Sequence, residues 1–192
     1  GEGKTNNIET VPNPLDIVSV EYDTIKMTVT WEKSDDWDFA SYELLDSETQ
    51  SLKFTTVMSD TNYITTDFDP LQENWFQIKV TDYWGLDSTG EGMTNDIDEP
   101  PTAVNIISIE YQISPLLMTI SWEPSQDLDF TSYKIQYSET DTSEKTDIYT
   151  LSDINTTSYD TLEFDPTIKR WYWLVTTDHW GQSTYSDGYM VY

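Results

Sequence analysis

The chain has 192 residues, with 36 Asp and Glu residues against nine Lys and Arg, one His and no Cys, which gives a formal net charge of −27. This charge opposes binding to phosphate backbones and anionic lipid surfaces, and the lack of Cys excludes disulfides, thiolate nucleophiles and zinc–sulfur sites. Aromatic residues make up 14% of the chain, which favours a folded core over disorder. The sequence contains no run of about 18 apolar residues, so no membrane-spanning segment is predicted.

The N-terminal residues 1–11 are predicted to form a polar tail. The sequence starts at Gly1 without Met, so we expect either that an export segment has been removed or that the sequence is a piece of a longer protein. A spacer after a lipid-modified residue ahead of Gly1, or an arm that pairs with a neighbour's sheet edge, would fit the same composition. With the acidity and the lack of Cys, we expect a bacterial protein that is secreted or held at the cell surface.

An internal repeat determines the predicted architecture. Residues 27–49 align with residues 118–140 at a constant offset of 91, with 13 identities in 23 positions. A second block, 68–85, aligns with 164–181 at an offset of 96, with 8 identities in 18. Such a repeat at this period predicts two copies of one structural unit.

The two copies join where a Pro-Pro pair follows an acidic run, in NDIDEPPTAV. Consecutive prolines favour an extended connection and supply no backbone donors to a sheet. We therefore place the boundary near Asp98, with domain 1 at 12–98 and domain 2 at 99–192. Domain 1 carries 19 acidic and four basic residues, and domain 2 carries 15 and four.

Apolar residues alternate with polar ones along both copies, and no segment has a helical period. Alternation of this kind marks strands with one buried face. Several short strands in about 90 residues predict an all-β fold of two tandem antiparallel β-sandwiches. The alternating apolar residues are Met27, Val29, Trp31, Phe76, Ile78 and Val80 in domain 1 and Met118, Ile120, Trp122, Tyr133, Ile135 and Tyr137 in domain 2.

The motifs TWEKSDDWDFASYELL and SWEPSQDLDFTSYKIQYSET resemble strands B and C of fibronectin type III domains, and KVTDYWGLDST and VTTDHWGQSTYS resemble strand F with its turn into strand G. The resemblance covers 12–192 and implies an immunoglobulin-like sandwich, a module used as spacer, adhesin or binding scaffold. Asn74 and Arg170 stand where strand F usually opens with Tyr, and Asp46 stands where domain 2 has Tyr137. Neither F–G turn contains Arg-Gly-Asp, so integrin recognition is not implied.

A D-x-D-F motif lies in each predicted B–C loop. Closely spaced carboxylates can supply oxygen ligands to Ca²⁺, while an Asp in such a loop also caps turns through backbone N–H groups. The capping interpretation is favoured because complete calcium loops contain more ligands and a turn Gly. The metal ligands that the motif would predict are Asp36, Asp38, Asp127 and Asp129, with Ca²⁺ as the only cofactor considered.

Tryptophans supply the predicted binding surface. Trp84 and Trp180 lie in the F–G turns, and their recurrence favours folding back over the B–C loop rather than facing a ligand. Trp37 lies at the same end of domain 1. If the other face of strand F is buried, Trp75 points outward in domain 1. Trp171 and Trp173 would then form an outward aromatic stripe in domain 2, unless neighbouring side chains cover it.

An enzyme is the less favoured class, because His179 beside Asp178 is half of a triad and Ser183 or Ser186 would join it only with strain. The sequence predicts a non-enzymatic extracellular structural or adhesion module that makes protein–protein contacts at a cell surface. Two alternatives remain. One is a self-assembling filament or surface-layer subunit, and the other is a carbohydrate-binding module that stacks sugars on exposed Trp.

Overall fold

A computed structural model describes residues 8–140 and 144–191 of the chain. Most of the predicted tail, residues 1–7, lies outside the described residues. The described residues form strands, turns and irregular segments with no helix, so the all-β prediction is confirmed. It follows that none of them belongs to a helix that could cross a membrane.

Domain 1 consists of two antiparallel sheets. One sheet has the strand order β1-β2-β5, and the other has the order β4-β3-β6-β7, with β8 also paired to β6. The strands are β1 (Ile17–Tyr22), β2 (Met27–Trp31), β3 (Phe39–Asp46), β4 (Ser51–Thr55), β5 (Asn62–Thr65), β6 (Trp75–Asp82), β7 (Asp87–Thr89) and β8 (Met93–Thr94). In fibronectin type III terms β2, β3 and β6 are strands B, C and F.

The core of domain 1 follows from period-two alternation. Met27, Val29 and Trp31 of β2 are buried, and the Thr residues between them are half-buried. Phe76, Ile78 and Val80 of β6 are buried in the same way from the facing sheet. Successive side chains of a strand point to opposite faces, so both strands contribute one complete face to a single core.

Domain 2 repeats this arrangement, and the boundary between the two compact units falls between Asp98 and Glu99. Its sheets have the orders β13-β10-β9 and β12-β11-β14-β15, with β16 also paired to β14. The strands are β9 (Ile106–Ile113), β10 (Leu116–Trp122), β11 (Phe130–Ser138), β12 (Thr146–Leu151), β13 (Ser158–Thr161), β14 (Arg170–Asp178), β15 (Ser183–Tyr185) and β16 (Tyr189–Val191). Its separate core contains Met118, Ile120, Trp122, Tyr133, Ile135 and Leu174.

Strand pairing brings the B–C loop of each domain next to its F–G turn. Phe39, at the start of β3, pairs with Asp82 at the end of β6, and the Tyr83 N–H donates to the Asp38 carbonyl at 2.8 Å. In domain 2, Phe130 pairs with Asp178 in the same way. The Asp before each Phe therefore lies beside the last residue of strand F.

Candidate functional site

The F–G turn of domain 1 is built around Asp82. Its Oδ1 accepts hydrogen bonds from the N–H groups of Trp84 and Leu86, both at 2.8 Å, and Gly85 takes φ +83°. A side chain that binds its own backbone in this way closes a tight turn. One carboxylate oxygen of Asp82 is thus committed to the turn, which fixes the direction of the other.

Domain 2 has the same turn. Asp178 Oδ1 accepts from the N–H groups of Trp180 at 2.9 Å and Gln182 at 2.8 Å, and Gly181 takes φ +86°. The two diverged repeats therefore hold an Asp in the same way at the end of strand F.

Tyr42, a core residue of β3, holds the B–C loop of domain 1 in place through its hydroxyl group. Its hydroxyl accepts from the Ser34 N–H at 2.7 Å and donates to the Met58 carbonyl at 3.1 Å. Burial raises the pKa of Tyr42, the Ser34 N–H opposes this rise, and the Asp36 carboxylate adds to it. A neutral phenol therefore holds the loop.

Asp36 and Asp127 make local contacts in their loops. The Ser34 hydroxyl donates to Asp36 Oδ2 at 3.4 Å, and the Ser125 hydroxyl donates to Asp127 Oδ2 at 2.7 Å. Each serine hydroxyl also accepts the N–H of the same Asp at 3.2 Å. The serine hydroxyl, rather than the Asp carboxylate, therefore accepts the backbone N–H in these two contacts, which differs from the Asp cap that the sequence favours.

The second Asp of each motif faces the F–G turn. Carboxylate oxygens of Glu9, Asp38 and Asp82 all lie within 4.8 Å of one another, and in domain 2 those of Asp129 and Asp178 lie within the same distance. Asp36 and Asp127 belong to neither group. The four-Asp calcium set stays a prediction, while the structure brings its members Asp38 and Asp129 to turn residues that sequence reasoning did not include.

An exposed aromatic cluster, here called the aromatic pole, lies at this end of domain 1 and consists of Trp37, Tyr83 and Trp84. These residues are 83%, 78% and 65% exposed. Together with Asp38 and Phe39 they line a shallow depression of about 420 Å³. The pole thus combines apolar rings with an acidic floor, and Trp84 faces outward rather than folding back.

The predicted stripe on strand F of domain 2 requires a correction. Trp173 is only 7% exposed, and Trp75 and Trp171 are half-buried. The rings of Trp171 and Trp173 stack with their centroids 6.5 Å apart, and the Lys145 ammonium lies 4.7 Å from the centroid of the Trp173 ring. The chain at Gly188 lies close to both indoles, since a Cβ there would be 3.0–3.2 Å from them. Trp173 is therefore not displayed, because a lysine and the chain ahead of β16 cover it.

The serine side chains near His179 are bonded elsewhere. Ser183 Oγ lies 2.9 Å from Thr177 Oγ1. Ser186 Oγ accepts the Leu174 N–H and donates to the Asp187 carbonyl, both at 2.9 Å. The exposed His179 ring packs edge-on against Trp180 at 4.9 Å. These contacts hold the two serines in structural roles within domain 2.

The fold is similar to two solved tandem structures. The chicken CNTN1 FN1-FN3 domains are 15% identical, with a TM-score of 0.43 over 95% of this chain and 68% of that chain. A two fibronectin type-III domain segment from chicken tenascin is 12% identical, with a TM-score of 0.38 over 93% of this chain and 96% of that chain. No protein-family model and no curated protein matches the chain.

Proposed function

We propose that the chain is a non-enzymatic extracellular adhesion module that uses the aromatic pole of domain 1 to contact a protein at a cell surface. The observation that carries this proposal is the exposure of Trp37, Tyr83 and Trp84 together at one end of a rigid sandwich. Tryptophan and tyrosine are enriched among the residues that dominate binding free energy at protein interfaces. Clusters of exposed apolar rings mark such contact surfaces.

The charge of the chain specifies the chemistry of the partner. A net charge of −27 repels acidic proteins and attracts basic ones, and Asp38 lies in the floor of the pole. Lysine and arginine side chains also bind the faces of Trp and Tyr rings. The partner is therefore a protein surface that presents basic side chains to the three rings.

Binding of the labelled chain to intact cells of the source organism tests this function. We expect the double variant W37A/W84A to bind at least about tenfold more weakly than the wild type, because it removes two anchor side chains. F54A is the matched control, since Phe54 is an exposed aromatic residue on β4, away from the pole. Equal binding by all three proteins would contradict the proposal.

Protease treatment of the cells separates a protein partner from a glycan. Loss of binding after treatment supports the proposal. Retained binding that free sugars inhibit would favour the carbohydrate-binding alternative and overturn the proposed partner class.

A further inference from the structure

We infer that domain 1 holds a calcium ion between its B–C loop and its F–G turn, with carboxylate ligands from Asp82, Asp38 and Glu9. Their oxygens lie within 4.8 Å of one another, close enough for one ion to contact all three. This inference does not depend on the proposed partner.

The first supporting observation is the state of Asp82. The residue is only 2% exposed, its Oδ1 is bound to two backbone N–H groups, and its Oδ2 is buried without a hydrogen-bond partner. An ionised carboxylate oxygen that loses water and gains no donor is costly. Since the turn fixes the Oδ1 side of the group, the remaining oxygen is presented to the acidic cluster.

The second observation is that the neighbouring acid, Asp38, also has a buried carboxylate oxygen. Asp38 Oδ2 is also buried without a hydrogen-bond partner. Two carboxylates at this distance repel each other strongly in a partly desolvated site. A cation between them supplies the missing partner of both oxygens and reverses the sign of the interaction.

The third observation is the recurrence in domain 2. Asp178 is 2% exposed with its Oδ2 buried and without a hydrogen-bond partner, and its carboxylate lies within 4.8 Å of that of Asp129. The turn residue is held by the same two backbone donors as in domain 1. One polar arrangement, kept in both copies of a diverged repeat, points to a shared chemical purpose.

Calcium fits this donor set better than other common ions. It prefers carboxylate and carbonyl oxygens and accepts six to eight of them in flexible geometry. Zinc favours His and Cys ligands, which the cluster does not contain. Three carboxylates, with water and carbonyl oxygens completing the shell, resemble the weaker extracellular calcium sites, so we expect a Kd of about 10⁻⁴ to 10⁻³ M.

Terbium luminescence gives the most direct test, because Tb³⁺ substitutes for Ca²⁺ and is sensitised by nearby indole rings. Trp37 and Trp84 border the cluster. We expect the full chain to show Tb³⁺ luminescence that added Ca²⁺ displaces. D82N and D38N should reduce the domain 1 signal and weaken Ca²⁺ binding to that site at least tenfold by isothermal titration.

Three further variants make the test specific. D67N removes the same charge from the loop before β6, at the opposite end of that strand, and should bind Ca²⁺ as the wild type does. E9Q changes an exposed ligand and keeps the test valid if D82N fails to fold. D36N should retain binding, since Asp36 is bonded to Ser34 in its own loop and lies outside the three-carboxylate cluster.

Thermal melting supplies a second readout, because D82N should weaken calcium binding and yet raise the melting temperature when calcium is absent. Asn at position 82 keeps the acceptor for the turn and removes the repulsion, so D82N should melt at a higher temperature than the wild type in EGTA. Calcium should raise the melting temperature of the wild-type domain by several degrees and leave that of D82N unchanged. An equal calcium response in the wild type, D82N and D67N, or loss of binding in D36N alone, would overturn the inference.

Discussion

Tyr42 shows how a single buried residue positions the loops of domain 1. Its hydroxyl satisfies the buried Ser34 N–H and the Met58 carbonyl at once. Replacing it with Phe keeps the ring packing and leaves the Ser34 N–H without an acceptor. We therefore expect Y42F to lower the free energy of unfolding by about 1–3 kcal/mol in urea denaturation, whereas Y83F, at an exposed ring, should lie within about 0.5 kcal/mol of the wild type.

The pH dependence of that loss follows from the raised pKa of Tyr42. Its ordinary value is 10.0, and burial raises it in the folded state. The contribution of the neutral hydroxyl is then complete below pH 10.0 and is lost as the pH rises through the higher folded-state value. The difference between wild type and Y42F should therefore shrink on the alkaline side, and a difference that grows there would contradict this assignment.

At the scale of strands, two glycines of domain 1 differ sharply in what a methyl group would meet. A Cβ on Gly90 would lie 1.8 Å from the Leu15 carbonyl oxygen, and backbone there cannot move aside without separating the chain ahead of β1 from that between β7 and β8. A Cβ on Gly85 meets nothing within 4 Å, and only its φ of +83° opposes substitution.

We expect G90A to destabilise domain 1 by about 3 kcal/mol or more, and G85A by about 1 kcal/mol. Denaturant unfolding followed by circular dichroism measures both. The order of the two variants is the decisive result: a larger loss in G85A would mean that the β1 region does not approach Gly90 as closely as described.

The strands themselves were the part most accessible to sequence reasoning. The alternation in MTVTW and WFQIKV identifies the buried faces of β2 and β6, because successive side chains point to opposite faces and one face of each strand is apolar throughout. The covering of Trp173 was not accessible, since Lys145 and the chain near Gly188 reach it only through tertiary packing. An outward-facing residue is not necessarily an exposed one.

The proximity of Asp38 to Asp82 was less accessible to sequence reasoning than the strand faces, and more accessible than the covering of Trp173. The sequence repeats an Asp two residues before the Trp-Gly of each F–G turn, and the sandwich topology predicts that this turn and the B–C loop share one end. Together these two signals could have identified Asp82 and Asp178, which the predicted metal ligands do not include. Their buried Oδ2 atoms, which matter most, depend on side-chain orientation that no spacing pattern reveals.

For the whole molecule, the balance of charges predicts how salt acts on stability. Four ion pairs occur among the described residues, and none has both side chains buried. Exposed pairs contribute about 0.2–1 kcal/mol each, and salt weakens them. Against this stands the mutual repulsion of an excess of 27 negative charges, which salt also screens.

Because like-charge repulsion outweighs so few ion pairs, added NaCl should stabilise the protein. We expect the melting temperature to rise steadily between low and physiological ionic strength, where the Debye length falls from about 30 Å to about 8 Å. EGTA in every sample removes calcium from the comparison, and K53M, which breaks the Lys53–Asp60 pair and adds to the net negative charge, should show a steeper rise. A melting temperature that falls with NaCl would mean that local ion pairs, rather than the overall charge, dominate the electrostatics of this chain.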